Sequence, residues 1–278
     1  MWSRWGVALI GSALVGWMGY RQGLLSRSGM WGALLVGSIT WGCGGWDWGA
    51  VLIAFFASSS LLSRYRAERK RALAERAAKG NRRDLWQALA NGGWGAFLAL
   101  VHTLFPHPLG FVAFVGAMAA VTADTWGTEL GVLGHTPPRL ITTGRAVPAG
   151  TSGAISVAGT LAALAGAGFI GLTAAAMAGL EGQWAASAGR WEAGMLAPVA
   201  AAAGLAGALS DSVLGAVVQR TYQCDACRVE TESPVHRCGH RARVVRGWPW
   251  MNNDVVNLFS SMFGSLAATG MWLLLVAA

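Results

Sequence analysis

Apolar residues run through this chain in blocks of roughly 16 to 24, and the polar residues gather between the blocks. A helix needs about 20 such residues to cross the hydrocarbon core of a bilayer. The pattern therefore predicts eight transmembrane helices, near 5–20, 30–45, 47–63, 87–105, 109–126, 153–175, 195–218 and 254–276. The first block, WGVALIGSALVGWMGY, has no small-residue cleavage site and runs at once into another apolar segment. It reads as a retained helix rather than a signal peptide. The expected fold class is all-α: a polytopic membrane protein forming a single integral membrane domain over 1–278.

Composition agrees with that pattern. The chain is 54% hydrophobic and 12% charged, where an ordinary soluble domain is about 25% charged. Its 39 glycines suit helices that associate in lipid through small residues, and its 15 tryptophans suit interfacial belts. Basic residues set the expected topology. Segments 21–28, 64–83, 135–150 and 219–250 hold 2, 9, 2 and 6 Lys+Arg, which is 19 of the 21. By the positive-inside rule these segments are cytoplasmic and both termini face outward. The opposite loops carry Asp47, Glu181 and Glu192. The basic loop 64–86 and a cysteine- and histidine-bearing loop 219–252 are then the two large cytoplasmic connections. The net charge of +8 is a topology device first, and a nucleic-acid partner is not expected. The run RYRAERKRALAERAAKGNRR reads as a solvated helical extension with Glu75 and Lys79 at i,i+4 spacing. A collar that gathers nucleotide or lipid phosphate is the sharper reading.

Against this background the few acids stand out. Asp124 and Glu129 close the fifth block, in ADTWGTELG, beside Thr125 and Thr128. A charge at the bilayer centre costs about 2.5–3.5 kcal/mol on insertion scales, so acids near spans usually have partners. On one unbroken helix five residues place the two acids about 140° apart. Either Gly127 breaks the helix, or each acid faces a different neighbour. In span seven, Gly204, Gly207, Asp211 and Gly215 fall on one helical face, a close-packing seam with an acid in its middle. Ser210 and Ser212 flank that acid. Span eight opens with Asn253 and Asn257 on one face and Asp254 beside them, and Asn252 could cap the helix. Asp124, Glu129, Asp211 and Asp254 thus arrive at one level. Grouped carboxylates repel unless protonated or neutralised, and hard oxygen ligands suit Mg²⁺ (or Mn²⁺), which also binds substrate phosphates. The plain alternatives are an interfacial acid touching water at Asp124 or Glu129, and a structural acid capped by hydroxyls at Asp211.

Groups suited to phosphate lie in the loop PPRLITTGRAVPAGTSG. Arg139, Thr142, Thr143 and Arg145 are followed by Gly150, Thr151, Ser152 and Gly153 at the expected start of span six. Such a turn entering a helix presents free N–H groups to an anion, although any helix may begin with Ser or Thr. Span four begins with Gln87 and Asn91 on one face. His102 and His107 look like interfacial residues. The loop after span seven carries Cys224 and Cys227 in C-x-x-C spacing, then Cys238 between His236 and His240. Three thiolates and one imidazole make a tetrahedral structural zinc site, with His240 or His236 as the fourth ligand and free reduced thiols as the alternative.

ADTWGTELG, PAGTSG, SDSVLGAVVQ, NNDVVN and QALANGG, in this order and spacing, resemble an integral-membrane family, the domain of unknown function 92. That family includes animal transmembrane protein 19 and plant phytyl-phosphate kinase. It is distantly similar to dolichol and phytol kinases and to CDP-diacylglycerol synthases. The resemblance implies phosphorylation of an isoprenyl monophosphate to the diphosphate, with CTP or another nucleoside triphosphate and Mg²⁺, at the cytoplasmic interface of the cell membrane. Thr128 stands where relatives often have serine. Expected partners are an isoprenyl phosphate lipid, the nucleotide and the bilayer, with a homo-oligomer left open. A cytidylyltransferase and a lipid-phosphate or metabolite transporter are the rival readings.

Overall fold

The computed structural model describes residues 2–66, 82–181 and 190–276. The expected ion pair of Glu75 and Lys79 lies outside the described residues. Among the described residues there are eight α-helices of 13 to 28 residues. They are α1 (Trp2–Arg21), α2 (Arg27–Ile39), α3 (Trp46–Arg64), α4 (Leu85–Leu104), α5 (Pro108–Gly131), α6 (Val157–Glu181), α7 (Arg190–Val217) and α8 (Asn253–Val276). Among the described residues, five of them (α3, α5, α6, α7 and α8) are long and apolar enough to cross a membrane.

The helix at the centre is α5. It is apolar on every side, which marks a helix surrounded by protein. Phe111, Val112, Phe114, Val115 and every residue of 116–123 are buried. It packs against α3, α4, α6, α7 and α8. Small residues make these approaches possible. A Cβ on Gly116 would come 2.5 Å from the Gly264 carbonyl oxygen of α8, and one on Gly207 would come 2.4 Å from Ala120 Cβ. In lipid, where apolar burial gives no preference for protein over tails, such close packing and interhelical hydrogen bonds hold helices together. Trp94 of α4 supplies one such bond to Ser265 Oγ at 2.9 Å, and that hydroxyl donates to Ala113 O at 2.7 Å. Three helices are tied at one point.

The ends explain themselves locally. Asp84 and Gln87 form a capping box at the start of α4. Asn252 caps α8, accepting from Val255 N at 3.0 Å. His107, expected to be merely interfacial, caps α5 by accepting from Leu109 N at 3.2 Å. His102 stacks on buried Trp48 with ring centroids 5.3 Å apart. Span two does not run on as an α-helix: a π-helical turn over Thr40–Gly44 ends it, and Gly45 at φ 108° turns the chain into α3.

Two small sheets sit at one end of the bundle. Strands β1 (Arg139–Leu140) and β2 (Ala154–Ile155) pair antiparallel, Arg139 opposite Ile155. Strands β3 (Thr221–Cys224), β4 (Val229–Thr231) and β5 (Arg243–Arg246) form a sheet ordered β4-β3-β5. An all-α reading missed both, because the strands are only two to four residues long.

Candidate active site

The end of the bundle where α3, α5 and α7 finish and α4, α6 and α8 begin carries nearly all the polar motifs. α5 is unbroken through Gly127, which is packed 3.2 Å (as a Cβ) from the Gly159 carbonyl oxygen of α6. Its two acids therefore face different neighbours, as a five-residue separation on one helix requires. Glu129 accepts a 2.6 Å hydrogen bond from Ser63 of α3 and interacts electrostatically with Arg83. Asp124 turns the other way, toward Asp211 of α7.

Asp211 occupies the position its glycine stripe predicts. Gly204 packs on Ala119 and Ala167, Gly207 on Ala120, and Gly215 on Ser152 and Gly153. The two flanking hydroxyls do not serve it: Ser210 donates back to Gly207 O at 2.7 Å and Ser212 to Ala208 O at 3.2 Å. The hydroxyl beside the Asp211 carboxylate belongs instead to Ser260 of α8. Asp211 Oδ2 is buried with no hydrogen-bond partner.

A third acid completes the group, and sequence reasoning passed over it. Glu232, just after β4, interacts electrostatically with both Asp124 and Asp211. Its position is built by a relay. Ser152 donates to Gln219 Oε1 at 2.9 Å, and Gln219 Nε2 donates to Glu232 Oε1 at 2.7 Å. Gln219 is 1% exposed, so this amide is a fixed part of the interior. Gly153, at φ +80°, lets the turn lie on Ala216, where any side chain would collide. Thus the PAGTSG turn braces the end of α7 and, through Gln219, Glu232. It does not open α6: that helix starts at Val157 and is capped by Ser156, which accepts from Gly159 N at 3.1 Å. Span six begins later than the apolar run suggested, because β2 intervenes.

The other expected site residues are spread around this core. Asp254 stands in the first turn of α8 beside Asn253. Asn257 donates to Asn91 Oδ1 of α4 at 3.2 Å. Thr125 back-bonds to Val121 O at 2.9 Å, and Thr128 is exposed. Arg139 donates to Gly144 O at 2.7 Å on the exposed 139–155 hairpin. Arg145, Thr142 and Thr143 are exposed beside it. Gly150 takes φ +80°, and Thr151 donates to Pro148 O at 2.7 Å.

In the loop after α7, ligand atoms of Cys224, Cys227, His236 and Cys238 all lie within 4.8 Å of one another. Cys224 and Cys238 sulfurs are 3.6 Å apart, close to the spacing of two thiolates on one zinc at about 2.3 Å each. His236, rather than His240, completes the set: its Nδ1 lies 3.1 Å from Cys238 Sγ. A tight turn with Gly239 at φ +86° joins His236 N to His240 O and leaves the His240 ring exposed, beside Cys238. The hydrogen bond from His236 pulls the Cys238 thiol down to about 5. Sharing a proton with Cys238 pushes Cys227 up to about 11. Three sulfurs and one imidazole nitrogen gathered this closely are a donor set of the kind that binds zinc. Arg246 clamps the loop to the bundle, donating to the Ala216 carbonyl that α7 leaves free at its end.

A family model described as integral membrane protein DUF92 matches residues 10–265. The chain belongs to that family. Protein PGR of Arabidopsis thaliana is 31% identical to this DUF92 protein over 93% of the chain and 92% of its own length. An uncharacterized membrane protein of Methanocaldococcus jannaschii is 33% identical over 70% of the chain and 75% of its length. Protein VTE6, chloroplastic, of Arabidopsis thaliana is 26% identical over 88% of the chain and 64% of its length. No solved structure matches the DUF92 chain. It is a multi-pass membrane protein.

Proposed function

We propose that this DUF92 protein is a membrane phosphotransferase that converts an isoprenyl monophosphate to the diphosphate, using a nucleoside triphosphate, CTP favoured, and Mg²⁺. One observation carries the reading: a buried carboxylate oxygen of Asp211 has no hydrogen-bond partner, and two further acids, Asp124 and Glu232, face the same space. Three carboxylates gathered without a cation repel one another, and an orphaned buried acceptor is costly. Oxygen-only donors of this kind fit Mg²⁺ better than a soft metal. When bound, Mg²⁺ supplies neutralisation of phosphoryl charge.

The chain's own residues then position and orient. Asp124, Asp211 and Glu232 would hold the cation, and Asp254 stands in the first turn of α8 at the same end of the bundle. Arg139 and Arg145 on the exposed hairpin offer their guanidinium groups to the nucleotide phosphates. The lipid phosphate oxygen attacks the γ-phosphorus, a new O–P bond forms, the β–γ bridging bond breaks, and the nucleoside diphosphate leaves. A phosphate monoester is already a competent nucleophile, so no strong base is required. The basic segments favour a cytoplasmic orientation for this end of the bundle. Transporters tend to bind at the membrane midplane between repeats, whereas these acids gather at one end.

Released product decides among readings. Purified protein in lipid nanodiscs with labelled CTP, Mg²⁺ and isoprenyl monophosphates should yield the nucleoside diphosphate and the lipid diphosphate. Pyrophosphate and a nucleotide-linked lipid would make it a cytidylyltransferase. Binding without turnover would leave a transporter.

The Cys224, Cys227, His236 and Cys238 set is proposed as a structural zinc site that stiffens the sheet delivering Glu232. Elemental analysis of the purified protein should find about one zinc per chain, bound to a set of this type. Cys224→Ser should lose that metal and lower the thermal midpoint. Unchanged zinc content in the variant would remove the assignment.

A further inference from the structure

A second polar feature lies outside the acidic group. Helices α1, α2, α3 and α4 line a cleft open on one side, walled by apolar side chains such as Val15, Val36, Leu52 and Phe56. Its polar residues sit mainly at one end: Gln87 and Asn91 from the first turns of α4, and Arg83 two residues before that helix. From Arg83 to Gly92 the cleft runs roughly 13 Å along the helix axis, away from the polar end of the bundle. Apolar walls with a cation at the mouth are the complement of a single-chain amphiphile with an anionic head.

Arg83 is held for this purpose by its backbone, not by its side chain. Its N–H donates to Leu24 O at 2.9 Å and its carbonyl accepts from Ser26 N at 3.0 Å. The guanidinium lies 5.8 Å from the Phe55 ring centre, and among the described residues no hydrogen bond or ion pair holds it. A half-buried guanidinium has five N–H donors to satisfy. Glu129 supplies electrostatic attraction from α5, leaving those donors for a ligand. The forked geometry suits a planar or tetrahedral oxyanion head such as a phosphate.

A continuous polar path leads from this mouth to the acids. Asn91 lines the cleft and accepts from Asn257; Ser260 donates to Asn257 O at 3.1 Å; the same hydroxyl faces Asp211. A chain of hydrogen bonds therefore links the cleft wall at Asn91 to the hydroxyl beside Asp211. We infer that the α1–α4 cleft is the binding site for the tail of a single-chain prenyl phosphate, with Arg83 holding its phosphate. The inference rests on the phosphotransferase reading for the identity of the lipid, and it places the tail among α1–α4 rather than between α5, α7 and α8, the helices that carry the acids.

The test uses the full chain in nanodiscs and a prenyl monophosphate carrying a diazirine in its tail, with no nucleotide added. Cross-links should map to α1–α4, and unlabelled prenyl monophosphate should compete them away. Arg83→Gln should weaken this competition by about tenfold or more, the loss expected for a charge-assisted phosphate contact. It should leave a neutral prenyl alcohol competing as before, and Arg83→Lys should restore part of the phosphate effect. Ile53→Trp, a bulky residue in the cleft wall, should block labelling in a protein that remains monodisperse. Cross-links confined to α5–α8, or unaltered competition in Arg83→Gln, would overturn the inference. So would a co-purifying diacyl phospholipid that prenyl phosphate does not displace. Because labelling needs no turnover, cleft labelling without phosphoryl transfer would uphold the site and count against the phosphotransferase reading. Normal turnover in Ile53→Trp would do the reverse.

Discussion

Asp211→Asn should lower phosphoryl transfer by about 10³-fold, the scale on which removing one pre-organised electrostatic group acts, while the protein stays folded. The side chains are nearly isosteric, so the glycine seam around position 211 is undisturbed. Removing the charge also relieves repulsion among three acids that face one space. Without divalent cation the variant should therefore melt no lower than the parent. With Mg²⁺, the parent should gain stability and the variant should not. A structural acid would behave oppositely: its loss would destabilise the fold whatever the cation. Full activity in Asp211→Asn would remove it from the site.

The second expected result separates Glu129, which the sequence singles out, from Glu232, which it does not. Glu232→Gln should cost about 10²-fold in turnover and raise the Mg²⁺ concentration needed for half-maximal rate. Glu129→Gln should change that Mg²⁺ requirement little, because its carboxylate is bonded to Ser63 and drawn to Arg83. The amide at position 232 can still accept from Gln219, so the relay from Ser152 survives. Measuring rate against Mg²⁺ for both variants checks the assignment. A large shift for Glu129→Gln and none for Glu232→Gln would reverse it.

What the chain discloses by itself follows the reach of its interactions. Among the described residues the apolar runs become eight helices that satisfy their own backbones, and five of these are long and apolar enough to cross a membrane. The α7 seam was legible because glycine spacing on one helix is a local property, and Asp211 came with it. Glu232 was not. It sits in a charged loop where nothing nearby distinguishes it from Glu230, and its place depends on Gln219, Ser152 and the register of β3 with β4. The same holds for His236 over His240: both flank Cys238 at two residues, and only the turn at Gly239 decides which ring enters the cluster. The PAGTSG turn was read as a helix start because its composition allows that. Its glycines are there for a different contact, against Ala216.

The central claim is that Asp124, Asp211 and Glu232 jointly bind one divalent cation. Mn²⁺ titration of the nanodisc-embedded protein, followed by electron paramagnetic resonance, tests it without any substrate. The account predicts about one tightly held Mn²⁺ per chain, displaced by Mg²⁺ and lost in Asp211→Asn and in Glu232→Gln. A bound Mn²⁺ that persists unchanged in both variants, or none in the parent, would contradict it.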